Sequence, residues 1–118
     1  LGINTDTMIW LMQNPVLDKT IEFADNRISL FAAQYGRCAV TGIDLMPHDI
    51  RCHHKVPLEN GGTDEYGNLV LVTEAVHILI HATLGETIQK YLNELQLNKK
   101  QLEKLNRLRK LAGTSVIA

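Results

Sequence analysis

Apolar residues at Leu17, Ile21, Ala24, Ile28, Phe31 and Ala32 follow the three-to-four spacing of one buried helical face. The spacing predicts an amphipathic helix over residues 17–34, broken or restarted near Asp25-Asn26 and ended by Gly36. The short apolar stretch 7–13 before it, interrupted by Pro15, reads as a small helix or arm. After Gly36 the rhythm shortens. Residues 38–42 read as a short strand and turn, 46–49 as a loop around Pro47, and 51–56 as a strand. The polar segment 57–67, with its Asn60-Gly61-Gly62 cluster, reads as an exposed loop, and 68–72 as a second strand. Thr73 then suits an N-cap for a helix over 74–82, with Glu74 favourably placed in its first turn. Thr83 with Glu86, and Asn98 with Gln101, form capping-box patterns for helices over 85–95 and 99–112, the last closed by Gly113. The expected class is α+β: strand, loop, strand, helix, flanked by helices. Val40, Leu45, Val56, Leu69, Leu71, Ile78 and Ile80 are the expected core. The chain divides into an N-terminal helical segment (1–36), a central unit (37–83) and basic C-terminal helices (84–118).

Composition narrows the class. The 118 residues suit one domain, and 45% apolar with 21% charged residues is a globular balance. No apolar run approaches the twenty or so residues that span a bilayer, and residues 1–10 lack the pattern of a signal peptide. The chain therefore reads as a piece of a longer intracellular protein, cytoplasmic and without a membrane partner. Its two cysteines, Cys38 and Cys52, cannot alone complete a tetrahedral zinc site and read as reduced thiols. The net charge of −1 conceals an asymmetry: Lys99, Lys100, Lys104, Arg107, Arg109 and Lys110, half of the twelve basic residues, are opposed near the carboxyl end only by Glu103.

Four of the five histidines fall within 29 residues, as the pair His53-His54 and the pair His77, His81. Residues four apart on a helix share a face, so His77 and His81 can meet one ion, and His53 would add a third nitrogen while leaving coordination positions open. Each pair alone is more often solvated or satisfied in a core, and neighbours on a strand point to opposite faces. Asn68, nine residues before His77, tips the balance toward a site.

The order His53-His54, Gly61-Gly62, Asp64, Asn68-Leu69, His77 and His81 resembles the HNH endonuclease motif, a small ββα-metal (His-Me finger) core. The longer run from Cys38-Ala39-Val40-Thr41-Gly42 through Cys52-His53-His54-Lys55 to His77-Ile78-Leu79-Ile80-His81-Ala82-Thr83, with Glu86-Thr87-Ile88 and Tyr91-Leu92, is similar to the C-terminal endonuclease domain of group II intron reverse transcriptases (maturases). That resemblance implies a DNA endonuclease that nicks one strand of double-stranded DNA to prime reverse transcription, with intron RNA a partner through the parent protein. It implies His54 as general base, His53, His77 and His81 as metal ligands, and Asn68 as the residue that fixes the loop carrying His54. The products would be a 5′-phosphate and a 3′-hydroxyl. Three imidazoles suit zinc, nickel or manganese equally, while the family favours magnesium or manganese.

Many members of the group carry two Cys-x-x-Cys pairs for a structural zinc. Here Cys38-Ala39-Val40-Thr41 and Thr73-Glu74-Ala75-Val76 stand in those places, so no structural zinc is expected. Arg51 and Lys55 beside the histidines, and Lys99, Lys100, Lys104 and Arg107 in the last helix, are candidate phosphate contacts. Leu102, Leu105, Leu108 and Leu111 mark that helix also as a stripe docked on the core. His48 has no assigned role. Competing readings are an HNH nuclease of phage, restriction or homing origin, and a non-catalytic metal-stabilised module that binds nucleic acid.

Overall fold

The computed structural model describes residues 2–118. Asn4 opens helix α1 (Thr5–Gln13), its side chain accepting from the Thr7 N–H. Helix α2 (Ile21–Ala33) is capped by Thr20 and runs unbroken through Asp25-Asn26, contrary to the sequence expectation. The Asn26 amide donates outward to the Asp64 carbonyl at 2.8 Å and so does not compete with the helix's own carbonyls. The helix also starts later than residue 17, because Asp18 takes positive φ and Thr20 supplies the cap. Tyr35, at φ +55°, takes the left-handed position that ends it, and the Gly36 N–H reaches back to the Phe31 carbonyl.

Over residues 38–42 the expected turn forms but the expected strand does not. Cys38 N–H bonds to the Ile43 carbonyl and Gly42 N–H to the Cys38 carbonyl, leaving only a bridge between Arg37 and Asp44. Strands β1 (Arg51–His54) and β2 (Leu69–Val72) pair antiparallel, His53 opposite Val70 and His54 opposite Leu69. All four residues of β2 are buried although they alternate between faces, so that strand is covered on both sides. Helix α2 packs on β2, and helix α3 (Glu74–His81) packs on β1. The Gln34 side chain closes β2's other edge, accepting from the Leu71 N–H and donating to the Leu71 carbonyl, both at 3.0 Å.

Thr73 caps α3 as the sequence indicated. Helix α4 (Gly85–Leu95) begins at Leu84 without a side-chain cap, so the Thr83/Glu86 pattern is unused. Helix α5 (Lys99–Leu111) does carry the Asn98/Gln101 capping box. The core draws on every part of the chain: Leu11, Phe23 and Phe31, then Val40, Leu45 and β2, then Val76, Leu79 and Ile80, then Leu105 and Leu108. Val56 and Ile78, expected inside, are only half-buried. Val70, Val72, Val76 and Leu79 take that burial instead. Arg109 is internal as well, its guanidinium donating to the carbonyls of Leu79, Ala82 and Ser115 and so tying α5 to the end of α3. The result is an α+β fold with five α-helices and a two-stranded sheet among the described residues. No described helix is long and apolar enough to cross a membrane.

Candidate metal centre

His53 points from β1 toward α3, where His77 and His81 share one face. Ring centroids lie 5.2 Å apart for His53 and His77, 5.1 Å for His53 and His81, and 4.9 Å for His77 and His81. One ligand nitrogen from each lies within 4.8 Å of the others, close enough for a single ion to be held by all three. His53 is 3% exposed, and its Nε2 has no hydrogen-bond partner. A buried polar atom left unpaired costs free energy unless something fills the position, and a cation at the convergence of the three rings would do so. Burial, and then the neighbouring His77, His81 and His54, push the His53 pKa down to about 3. Burial, with His81 and Arg51, lowers that of His77. Both effects favour the neutral imidazole that metal ligation requires. His81 is exposed, so the cluster is open on one side.

His54 leaves the strand in the other direction. Its Nε2 lies 2.7 Å from Asp64 Oδ1, and its ring stacks on Phe23 with centroids 5.5 Å apart. Asp64 is itself fixed by Thr20, whose hydroxyl donates to Oδ2 at 2.7 Å while also accepting from the Phe23 N–H that it caps. The hydrogen bonds from His54 and Thr20 hold the Asp64 carboxyl below its usual range. Asn68 clamps the loop joining His54 to Asp64 at both ends. Its Oδ1 accepts from Val56 N–H at 2.9 Å, and its Nδ2 donates to the carbonyls of Val56 at 3.0 Å and Thr63 at 2.8 Å. Gly62 is required by the same closure, since a Cβ there would stand 1.8 Å from the Val56 carbonyl oxygen.

His53, His54, His77 and His81 together line one open cavity of about 320 Å³, with Lys19 and Cys52 at its wall. Cys38 and Cys52 are both free thiols, and burial pushes Cys52 up to about 12, so it stands protonated beside the histidines. Of the expected phosphate contacts, Arg51 lies 3.3 Å from Glu74 and borders a second cavity. Lys55, Lys104 and Arg107 meet around a separate hollow of about 360 Å³. Lys99 and Lys100, exposed at the start of α5, line none of these three cavities. Sequence reasoning placed Asp64 in the motif without giving it a task, and passed over Thr20 and Lys19. The signal for Asp64 was a carboxylate ten residues beyond a histidine across a Gly-rich loop.

No protein-family model matches the chain, and no match is found among curated proteins. The functional reading therefore rests on the site itself.

Proposed function

We propose that this chain is a metal-dependent DNA endonuclease in which β1, β2 and α3 form a ββα-metal unit of the HNH kind. The observation that carries this reading is the division of labour between His53 and His54. One is buried with an unpaired nitrogen among two further imidazoles, the other is bonded to a carboxylate, and both open on the same cavity. A purely structural metal site has no use for the second arrangement.

His53, His77 and His81 would hold one divalent ion, magnesium or manganese in the working enzyme, with zinc or nickel also suited to the imidazoles. When bound, such an ion supplies Lewis-acid stabilisation of the charge that develops on phosphate oxygens. The proton chemistry belongs to His54. The ionised Asp64 can only accept, so Nε2 carries the hydrogen of their 2.7 Å bond, and in the neutral ring the free lone pair is that of Nδ1. Nδ1 removes the proton from a water as its oxygen bonds to phosphorus. The bond from phosphorus to the 3′-oxygen breaks with its electron pair passing to that oxygen, which takes a proton from solvent water, leaving a 5′-phosphate and a 3′-hydroxyl. Asn68 fixes the backbone on both sides of the His54–Asp64 pair and so sets the direction of Nδ1. The biological setting we propose, nicking of target DNA to prime reverse transcription within a group II intron-encoded protein, is supported by the residue run from Cys38 to Leu92.

The test is a plasmid assay. The purified protein with manganese or magnesium should convert supercoiled plasmid into nicked circles bearing ligatable ends, and a chelator should stop it. Supercoiled DNA that stays intact over a broad range of salt and enzyme concentration would overturn the reading. The intron setting has its own test: a reverse-transcriptase region in the same reading frame supports it, and another context removes it.

A further inference from the structure

Beside the histidine cavity, and sharing Lys19 and Cys52 with it, lies a second cavity of about 440 Å³ between α1, α2 and the start of β1. Its volume falls in the range of about 300–1,000 Å³ usual for small-ligand sites. Three cations border it, Lys19, Arg27 and Arg51, together with three aromatic rings, Trp10, Phe23 and His48; no carboxylate lines it, although Arg51 also pairs with Glu74 at 3.3 Å outside its wall. Arg27 is the unusual member. It is only 5% exposed, yet it forms no ion pair, and among the described residues its guanidinium gives one hydrogen bond, Nη1 to the Asn14 carbonyl at 3.1 Å. A buried guanidinium is ordinarily matched by an anion, and here most of its N–H donors remain available beside the cavity. Trp10 meets His48 edge to face at 5.6 Å, giving the cavity an aromatic stretch of wall.

We propose that this cavity receives the nucleotide adjoining the scissile phosphate, its own phosphate on Arg27, Arg51 and Lys19 and its base against Trp10 and His48. The inference rests on the nuclease reading for the word scissile, but the cavity's chemistry stands apart from the histidines. Cations with aromatic rings are the combination that grips a single strand, because phosphates pair with guanidinium and an unstacked base lies on a ring. A base can reach Trp10 only when it has left the duplex stack, so the strand must open locally beside the cut.

Trp10 is the only tryptophan, so its emission reports on the cavity directly. Metal-free protein should show saturable quenching on titration with the dinucleotide d(TpT), weaker binding of inorganic phosphate, and none of thymidine. Arg27→Gln should weaken d(TpT) binding by about tenfold or more, the usual cost of a lost charged hydrogen bond. If that buried substitution prevents folding, the surface double variant Lys19→Gln, Arg51→Gln must show the loss instead. His77→Ala should leave quenching unchanged. No saturable quenching, undiminished affinity in a folded variant, or equal affinity for phosphate and d(TpT) would each overturn the proposal. Binding without plasmid nicking would sink the nuclease reading and leave a nucleotide site, whereas nicking without binding would remove the site alone.

Discussion

His53 and His54 are neighbours on β1, yet the regions they enter are built by different forces. On the His53 side the framework is burial: β2 is wholly covered, Val76, Leu79 and Ile80 of α3 are inaccessible, and Arg109 ties the end of that helix to α5. On the His54 side the framework is hydrogen bonding, with Thr20, Asn26 and Asn68 converging on Asp64 and its loop. Packing holds a cluster together without specifying direction, which suffices for rings that need only surround an ion. The base proposed at His54 would have to aim one lone pair at one proton, and directional bonds set such an aim.

Substitutions can break this contrast, and the largest effect is expected at the cluster. His77→Ala should abolish both metal binding, followed by calorimetry, and nicking, since two imidazoles would remain. Metal binding that survives would dissolve the three-histidine assignment. Next, His54→Ala should lower nicking by roughly 10²–10⁴-fold, the usual contribution of a general base, with metal affinity unchanged. A parallel loss of metal would put His54 among the ligands. Asp64→Asn should cost about 10–100-fold in nicking, again without loss of metal, because the amide no longer fixes which nitrogen of His54 carries the hydrogen. An undiminished rate would show that the 2.7 Å bond has no part in the reaction.

A separate effect is on stability. The pKa of His53 falls from 6.5 to about 3 on folding, so below about 6.5 the unfolded chain binds a proton that the folded chain refuses. Its contribution is complete above that pH and is lost progressively toward about 3, with a slope of at most about 1.4 kcal/mol per pH unit. His77 acts in the same direction, and Asp64, whose folded pKa is also lowered, adds its own loss only below its ordinary value of 3.8. Urea midpoints of the metal-free protein should fall along this course, and His53→Gln should flatten it. An unchanged slope would mean that the ring is charged inside the fold.

The contrast also explains what the sequence could disclose. The metal side was legible because its determinants are local: His77 and His81 lie one helical turn apart, Thr73 caps their helix, and His53 falls on a strand whose partner begins at Leu69. Asn68 had its positioning task from the resemblance alone; its side chain bonds to Val56 and Thr63 across the loop. The work of Asp64 was hidden because it depends on Thr20 and Asn26, which lie 44 and 38 positions away in the chain and reach it only after α2 docks on β2. The same long contact keeps α2 whole at Asp25-Asn26, where local propensity suggested a break. The turn at residues 38–42 is another case of tertiary preference. Ala39 N–H bonds to the Leu71 carbonyl, and Cys38 and Val40 are buried, so extended-looking residues fold back over the sheet. In the last helix, Arg109 shows that a run of positive charge need not all face solvent.

A sheet of two strands is nearly all edge, and an open edge is a template on which a foreign strand can add. Gln34 removes that opportunity at Leu71, where its amide occupies both the donor and the acceptor that another chain would use, while Ala39 claims the same carbonyl from a second side. The sheet therefore ends where this chain ends it, and a neighbouring molecule finds no ladder at Leu71 to extend.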